Sequence, residues 1–274
     1  MPVFKLTLAY DGAGLVGWQR QAAGTSVQQL LEDAVAILAG RRVAVVGAGR
    51  TDAGVHALGQ VASLDLERQM DGSVVVRALN AHLPPHVRVL SAVEVPSGFH
   101  ARFDARSKTY RYRIWNADVL SPFEQGHSWH VPAPRLDVSA MADAAQLVIG
   151  RHDFSSFQAS GTENDDAERE VFESRVSAVS DWMSKVKSAA VPAPHELITY
   201  EVRGDGFLRH MVRTLVGSLV DVGRGARRPA WLGEVLASRD RTRAGRTAPA
   251  CGLFLVDVQY EASGGRGELA AGRK

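Results

Sequence analysis

Alternating apolar and polar positions predict β-strands at several places along the chain. Residues 3–10 alternate strictly and end at the turn signal Asp11-Gly12. Residues 110–115 alternate in the same way, as do residues 253–260. Shorter or less regular patterns predict further strands at residues 43–46, 60–66, 171–183 and 196–202.

Apolar residues at helical spacing predict four helices. The clearest begins after Ser26-Val-Gln-Gln29, which has the form of a capping box, and ends at Gly40. The others cover residues 137–150, residues 207–222 before Gly223, and a segment whose first turn contains Pro229. Strand-then-helix order recurs in both halves of the chain, which indicates the α+β class.

The predicted elements divide the chain into two α+β halves, residues 1–104 and 105–262. The division falls within a basic, turn-like stretch at residues 99–108. Residues 263–274 have too little apolar surface to order themselves, so we expect a disordered tail there. Two connections in the second half are predicted to be flexible, the acidic loop at residues 161–170 and residues 184–195.

Composition narrows the class of protein. Of the 274 residues, 45% are apolar and 23% are charged, which provides enough apolar surface for a large core. A single cysteine, Cys251, excludes an intramolecular disulfide and a multi-thiolate metal site. The first residues lack the pattern of a signal peptide, and no apolar run approaches the roughly 20 residues that span a bilayer. We therefore expect a cytoplasmic protein without a membrane partner.

The glycine-rich segment from Gly47 to Ala57 is the strongest local candidate for chemistry. It fails as a dinucleotide-binding fingerprint because Asp52 lies where the third glycine is needed, and its carboxylate would repel a pyrophosphate. It fails as a P-loop because no Gly-Lys-Ser/Thr sequence follows the glycines. By itself the spacing indicates no more than an ordinary turn with a surface ion pair.

Two other kinds of site have little support in the sequence. His127 and His130 could suggest metal ligation, but no third ligand is near them, so we interpret both as structural. A Gly-x-Ser-x-Gly sequence, which would present a serine nucleophile, does not occur.

The segment Gly49-Arg-Thr-Asp-Ala-Gly-Val-His-Ala57 is similar to the catalytic motif of the tRNA pseudouridine synthase A family. Companion motifs stand in the family's order across nearly the whole chain: Tyr10-Asp-Gly12, Gly17-Trp-Gln19, Ser26-Val-Gln-Gln29, Phe99-His-Ala-Arg102, Lys108-Thr-Tyr-Arg-Tyr112, His152-Asp-Phe154, Phe207-Leu-Arg-His-Met-Val-Arg213 and Gly252-Leu253. The chain departs from the family at residues 161–169, which are more acidic, and at residues 184–195, which resemble an insertion. The resemblance by itself therefore does not assign Arg169 to RNA binding.

The resemblance implies a fold and an activity. The fold is α+β, with two ferredoxin-like (RRM-like) halves that share a continuous antiparallel sheet and hold Asp52 in the cleft between them. The activity is the isomerisation of uridine to pseudouridine at positions 38, 39 and 40 in the anticodon stem-loop of tRNAs, without a metal, redox or nucleotide cofactor. Family members are homodimers in which each tRNA contacts both subunits, so we expect a homodimer with tRNA as its partner.

The family also implies roles for individual residues. Asp52 is the expected nucleophile, which attacks the ribose C1′ or the uracil C6 or assists a glycal route, and the sequence leaves all three open. Arg213 is expected to form an ion pair with Asp52. Tyr110 is expected to stack on the target base and is a candidate acceptor for the C5 proton. The other residues expected to contact the substrate are Arg50, Thr51, Arg102 and Leu253, the last as an apolar wall.

Positive charge is concentrated locally although the total is balanced, with 32 basic and 30 acidic residues. Residues 88–113 contain six basic and two acidic residues, and residues 203–246 contain ten and four. This distribution predicts a collective, salt-sensitive RNA footprint rather than individual sites. Within residues 203–246, the arginines of this predicted RNA footprint include Arg224, Arg227, Arg228, Arg239, Arg241 and Arg243.

Two other functions are weaker alternatives. A non-catalytic RNA-binding module would bind RNA without the Asp52 carboxylate and would perform no chemistry. A nucleotide-dependent oxidoreductase built on residues 43–49 would bind nicotinamide, which Asp52 already opposes. We rank the isomerase first, the binding module second and the oxidoreductase third.

Overall fold

The computed structural model describes residues 1–159, 161, 166–179 and 196–261. Ten strands in this part of the chain form one sheet: β1 (Val3–Tyr10), β2 (Val46–Gly47), β3 (His56–Asp65), β4 (Val87–Val95), β5 (Ala105–Asn116), β6 (Trp129–Val131), β7 (Gly150–Asp153), β8 (Glu168–Val179), β9 (Glu196–Gly204) and β10 (Leu253–Tyr260). Five α-helices accompany it: α1 (Val27–Ala39), α2 (Gly72–His82), α3 (Val138–Gln146), α4 (Met211–Gly223) and α5 (Trp231–Ser238).

The sheet consists of two ferredoxin-like halves, and this confirms the predicted α+β fold. Its strands run in the order β4-β1-β3-β10-β5-β9-β8-β7, with β2 also paired to β3 and β6 to β5. In the first half, α1 and α2 connect strands whose spatial order is β4-β1-β3-β2. In the second half, α3 and α4 connect strands in the equivalent order β10-β5-β9-β8.

A short parallel pairing between β10 and β3 joins the halves. Phe254 pairs with His56, and Leu255 pairs with Ala57. The expected continuous sheet is therefore present, but its joint is parallel, as is the pairing of β5 with β6, whereas the other pairings are antiparallel. Parallel neighbours begin at the same edge of a sheet. The segments preceding β3 and β10 consequently meet at that edge.

Local sequence determines α1 clearly. The Ser26 side chain accepts a hydrogen bond from the Gln29 backbone N–H, and Gly40 ends the helix with a φ of 70°. A left-handed backbone conformation after the last turn favours glycine, because glycine has no Cβ. Both predicted ends of this helix are thus present.

One hydrophobic core extends through both halves. Trp18 and Phe4 are buried in the first half, and Tyr112 and Phe154 in the second. The Tyr112 hydroxyl donates to the Pro249 carbonyl at 2.7 Å, so a fully buried ring of β5 holds the segment before β10. No helix in the described ranges is long and apolar enough to cross a membrane.

Several predicted boundaries differ from those in the structure. The strand predicted at residues 43–46 is only Val46–Gly47, and β3 begins at His56 rather than at residue 60. The prediction that the acidic loop extends to residue 170 is wrong, because β8 begins at Glu168 and pairs with β7. Four predictions lie wholly or partly outside the described residues: the acidic loop at residues 162–165, the strand beyond residue 179, the connection at residues 184–195 and the tail at residues 263–274.

Candidate active site

A loop between β2 and β3 carries Asp52, and backbone contacts fix its path. The Gln60 side chain donates to the Gly49 carbonyl at 2.9 Å, and the Trp18 backbone N–H donates to the Thr51 carbonyl at 3.0 Å. The Asp52 carbonyl accepts from the Val55 N–H at 3.1 Å, which closes a tight turn. The Asp52 carboxylate therefore projects from a rigid loop.

Glycines allow a neighbouring segment to approach this loop closely. Gly17 has a φ of +101°, and a Cβ built on it would lie 2.5 Å from the Thr51 carbonyl oxygen. A Cβ on Gly12 would lie 2.1 Å from the Val55 carbonyl oxygen. Any side chain at either position would displace the loop.

Asp52 forms an ion pair with Arg213 across the two halves. The Arg213 Nη1 lies 3.1 Å from the Asp52 Oδ2, and the side chains are 15% and 31% exposed. The Arg213 Nε donates to the Ala248 carbonyl at 2.8 Å, while the Ala248 N–H donates to the Arg213 carbonyl. The guanidinium is thus held from behind and presents its outer nitrogen to a carboxylate that solvent can still reach.

His210 is a second basic side chain at this carboxylate, and sequence analysis did not single it out. Its Nε2 lies 3.5 Å from the Asp52 Oδ2. Burial lowers the pKa of His210, Asp52 raises it, and Arg213 lowers it further, with a net shift below the usual value. His210 caps α4 with a φ of 64°, a conformation that is costly for a residue with a Cβ and is enriched at functional sites.

Tyr110 lies on β5 with 8% of its surface exposed. Its ring and the Phe207 ring pack at nearly a right angle, with a centroid distance of 5.2 Å. Burial raises the pKa of its phenol above the usual range, and the nearby Tyr10 and Asp52 add to the effect. A neutral aromatic ring therefore forms part of the wall near Asp52.

The other predicted contact residues occupy different environments. Thr51 is 7% exposed, and its hydroxyl hydrogen-bonds with the Tyr10 hydroxyl at 2.8 Å. Leu253 is 6% exposed at the start of β10, opposite Tyr112. Arg50 and Arg102 are both exposed. Thr51 is thus engaged inside the protein, whereas the two arginines are accessible to a ligand.

His127 lies in a cluster with Asp11 and His56, whose ligand atoms are within 4.8 Å of one another. The His56 Nδ1 accepts the Gly12 N–H at 3.0 Å. The same Nδ1 lies 3.0 Å from an Asp11 carboxylate oxygen, and Nε2 lies 3.1 Å from both the Gly126 and the Cys251 carbonyl oxygens. Because both nitrogens of His56 are engaged, these contacts favour a structural role over metal binding.

Several arginines of the predicted RNA footprint have protein partners. Arg228 pairs with Glu234, and Arg239 lies 3.2 Å from an Asp153 carboxylate oxygen. The Arg227 guanidinium lies over the Trp231 ring at 5.2 Å. This surface therefore has less free positive charge than its composition suggests.

Comparisons with known proteins agree with this geometry. A family model described as tRNA pseudouridine synthase matches residues 7–104 and 144–261. A Myxococcus xanthus protein named tRNA pseudouridine synthase A is 46% identical over 260 residues, covering 95% of this chain and 92% of its own. Proteins of the same name from Pelobacter propionicus and Afipia carboxidovorans are 44% and 46% identical, each covering 95% of this chain and 100% of its own. With the family's motif residues gathered around one carboxylate and the match spanning both halves, the chain belongs to the tRNA pseudouridine synthase family.

Proposed function

We propose that this enzyme isomerises uridine to pseudouridine at positions 38, 39 and 40 in the anticodon stem-loop of tRNAs. The main support is the ion pair between Asp52 and Arg213, which joins the two halves within the family match. The relatives named tRNA pseudouridine synthase A support a tRNA substrate. A uridine in a stem must leave the base stack to reach such a carboxylate.

The reaction exchanges one bond to the ribose for another. The N1–C1′ bond breaks, the uracil rotates and the C5–C1′ bond forms. C5 loses its proton and N1 takes one up, so the product is an isomer of the substrate. Asp52 supplies the nucleophile at C1′ or C6, or removes the C2′ proton in a glycal route. In each route the Arg213 guanidinium stabilises the carboxylate and keeps it oriented.

The environment of Tyr110 supports stacking more than proton transfer. Its raised pKa keeps the phenol protonated at neutral pH, so the ring remains a flat, neutral surface for a base. His210 has a lowered pKa and is neutral under the same conditions. A neutral imidazole beside Asp52 is therefore the second candidate acceptor for the C5 proton.

The remaining predicted residues divide between loop support and substrate contact. We assign Thr51 to holding the loop, because its hydroxyl is buried against Tyr10. Arg50 and Arg102 are assigned to the RNA backbone since both side chains are exposed. Leu253 is assigned to the apolar wall of the base pocket.

Tritium release tests this function directly. Unmodified tRNA transcripts containing 5-tritiated uridine should lose tritium with the wild type and not with Asp52→Asn, while both bind tRNA, because forming the C5–C1′ bond expels the C5 hydrogen. A folded wild type that binds tRNA but releases no tritium would identify a non-catalytic RNA-binding module instead.

We further propose that the enzyme works in the cytoplasm as a homodimer, with each tRNA contacting both subunits. Residues 1–104 supply the catalytic loop and residues 105–262 supply Arg213 and Tyr110 in this arrangement. Sedimentation at micromolar concentration should give twice the mass of the 29.5 kDa chain, and a monomer that retains full activity would contradict the dimer.

A further inference from the structure

Lys108 is a half-buried lysine for which the described residues provide neither a hydrogen bond nor an ion pair. It lies on β5, two residues before Tyr110. Because side chains alternate between the faces of a strand, Lys108 and Tyr110 project from the same face, about 7 Å apart along the strand. A cation that has lost much of its hydration without gaining a partner is unfavourable, so this position favours an anionic ligand.

The surroundings of Lys108 are positively charged. Burial lowers the pKa of its ammonium, Arg102 and Arg169 lower it further, and Asp205 acts in the opposite direction. The Asp205 carboxylate already accepts a backbone hydrogen bond at 3.0 Å, and Arg169 is 3.5 Å from an Asp166 carboxylate oxygen. Three cations thus lie near two carboxylates, of which Asp166 is paired with Arg169, and neither carboxylate lies within ion-pair distance of Lys108.

In this cation cluster of Lys108, Arg102 and Arg169, Lys108 is the member that adjoins the loop carrying Asp52. The Lys108 Nζ lies 3.6 Å from the position that a Cβ would take on Gly49, three residues before Asp52. Gly49 is itself fixed through its carbonyl, which accepts from Gln60. The ammonium is therefore part of the active-site wall and not of a distant surface.

We propose that Lys108, flanked by Arg102 and Arg169, binds a backbone phosphate of the RNA next to the uridine that enters the active site. A nucleotide's phosphate is separated from its base by one ribose, a span comparable to the distance along β5 between Lys108 and Tyr110. Lysine binds phosphate as a point charge with rotatable donors, so the contact tolerates a phosphate that turns as its base leaves the stack. The inference rests on the proposed function, because it takes Tyr110 as the position of the target base.

Substitutions at Lys108 test the contact. Lys108→Met should bind tRNA about tenfold more weakly than the wild type, and Lys108→Arg should bind nearly as well. The slope of log Kobs against log salt concentration should be smaller by about 0.7 to 0.9 in Lys108→Met, the value for one phosphate contact. Lys5→Met, which removes a lysine from β1 of the same sheet, is the matched control and should leave both quantities unchanged.

A chemical substitution in the RNA locates the phosphate. Transcripts are made with one neutral methylphosphonate on the 5′ or the 3′ side of the target uridine. At the contacted position the neutral linkage should weaken wild-type binding about tenfold and cause no further loss in Lys108→Met. Independent losses at both positions would overturn the proposal.

Two further measurements distinguish the loss of the phosphate contact from misfolding and from a failure of the proposed function. Thermal midpoints identify a misfolded variant, and Lys108→Gln supplies a second neutral side chain if Lys108→Met is unstable. A wild type that forms no pseudouridine in unmodified tRNA refutes the proposed function. If the wild type is active but Lys108→Met and the methylphosphonate weaken tRNA binding additively, only the phosphate site is refuted.

Discussion

At the scale of single residues, the orientation of the Asp52 carboxylate depends on how one guanidinium is held. Arg213 uses its Nε for the Ala248 carbonyl and its Nη1 for Asp52, so a single planar group makes both contacts. A lysine has one nitrogen and cannot reproduce this geometry. Orientation and charge at Asp52 are therefore set together.

We expect Arg213→Met to lower kcat by about 100-fold or more, since it removes a preorganised donor from the reacting group. Arg213→Lys should fall between Arg213→Met and the wild type. Binding of tRNA should stay near the wild-type value because the side chain faces Asp52 and not the solvent. Single-turnover tritium release measures the rate, and Arg41→Met, which removes an exposed arginine outside the predicted RNA footprint, is the control.

An Arg213→Met rate equal to that of the wild type would show that the ion pair has no part in the reaction. A loss confined to KM would assign Arg213 to RNA binding instead.

Buried His56 makes stability depend on pH. It is 1% exposed, and burial lowers its pKa below the usual 6.5, against the opposing effect of Asp11. The unfolded chain therefore binds a proton near pH 6.5 that the folded chain does not, and acidification favours unfolding. His210 acts in the same direction.

The free energy of unfolding should consequently fall between pH 7.5 and pH 5.5. Urea titrations at the two pH values measure it, and His56→Gln should show a smaller difference than the wild type. A wild type that becomes more stable over this interval would contradict the assignment of neutral His56.

Sequence patterns predict the site residues unevenly. The family's motifs fix the positions of Asp52, Arg213 and Tyr110 in the chain, and the predicted ion pair between Asp52 and Arg213 is present. His210 lies within one of those motifs, but its approach to Asp52 depends on a left-handed backbone that no local pattern indicates. The burial of Thr51 likewise depends on Tyr10, which is distant in sequence.

At the scale of elements, prediction succeeds where caps are present and fails where tertiary contacts decide. Ser26 and Gly40 bound α1, and both are visible in the sequence. By contrast, α4 begins at Met211 rather than at Phe207, because His210 interrupts the helical conformation. The sequence pattern does not indicate α2, because three consecutive valines at residues 74–76 obscure a helix that begins after Asp71.

The close approach of two loops leads to a prediction for Gly17. Gly17→Ala should destabilise the protein by more than Gly14→Ala and should lower kcat, because its Cβ would overlap the Thr51 carbonyl and move Asp52. Gly14 also has a positive φ, of +75°, but a Cβ there meets nothing within 4 Å. Gly14→Ala should therefore lower the free energy of unfolding only by the cost of a left-handed backbone at alanine, about 1 to 2 kcal/mol.

Urea denaturation and single-turnover rates measure both effects for Gly17→Ala and Gly14→Ala. Equal losses of stability and unchanged rates in the two variants would mean that the loop accommodates the methyl group.

At the scale of the whole molecule, the site exists only where the halves meet. Asp52 belongs to the first half, and Arg213, His210 and Tyr110 belong to the second. The joint that sets their separation is the pairing of β3 with β10. Strain at the joint should therefore affect catalysis as well as stability.

Gly59 tests this coupling, because a Cβ on it would lie 2.4 Å from the Val256 carbonyl oxygen in β10. Gly59→Ala should cost about 1 to 3 kcal/mol of stability and lower kcat. Gly233→Ala in α5 is the control, since its Cβ would meet only Leu147 at 3.6 Å, and it should be neutral or stabilising by up to about 1 kcal/mol. Unchanged kcat in a destabilised Gly59→Ala would show that the joint does not position the site.

The order of strands also constrains when activity can appear during translation. Among the described strands β10 is synthesised last, yet it lies between β3 and β5 in the sheet. A nascent chain that has emerged only as far as α5 can fold its first half, but its Asp52 loop has no strand to align it with Arg213. The growing polypeptide should therefore be unable to modify any tRNA on or near the ribosome until the closing strand has emerged.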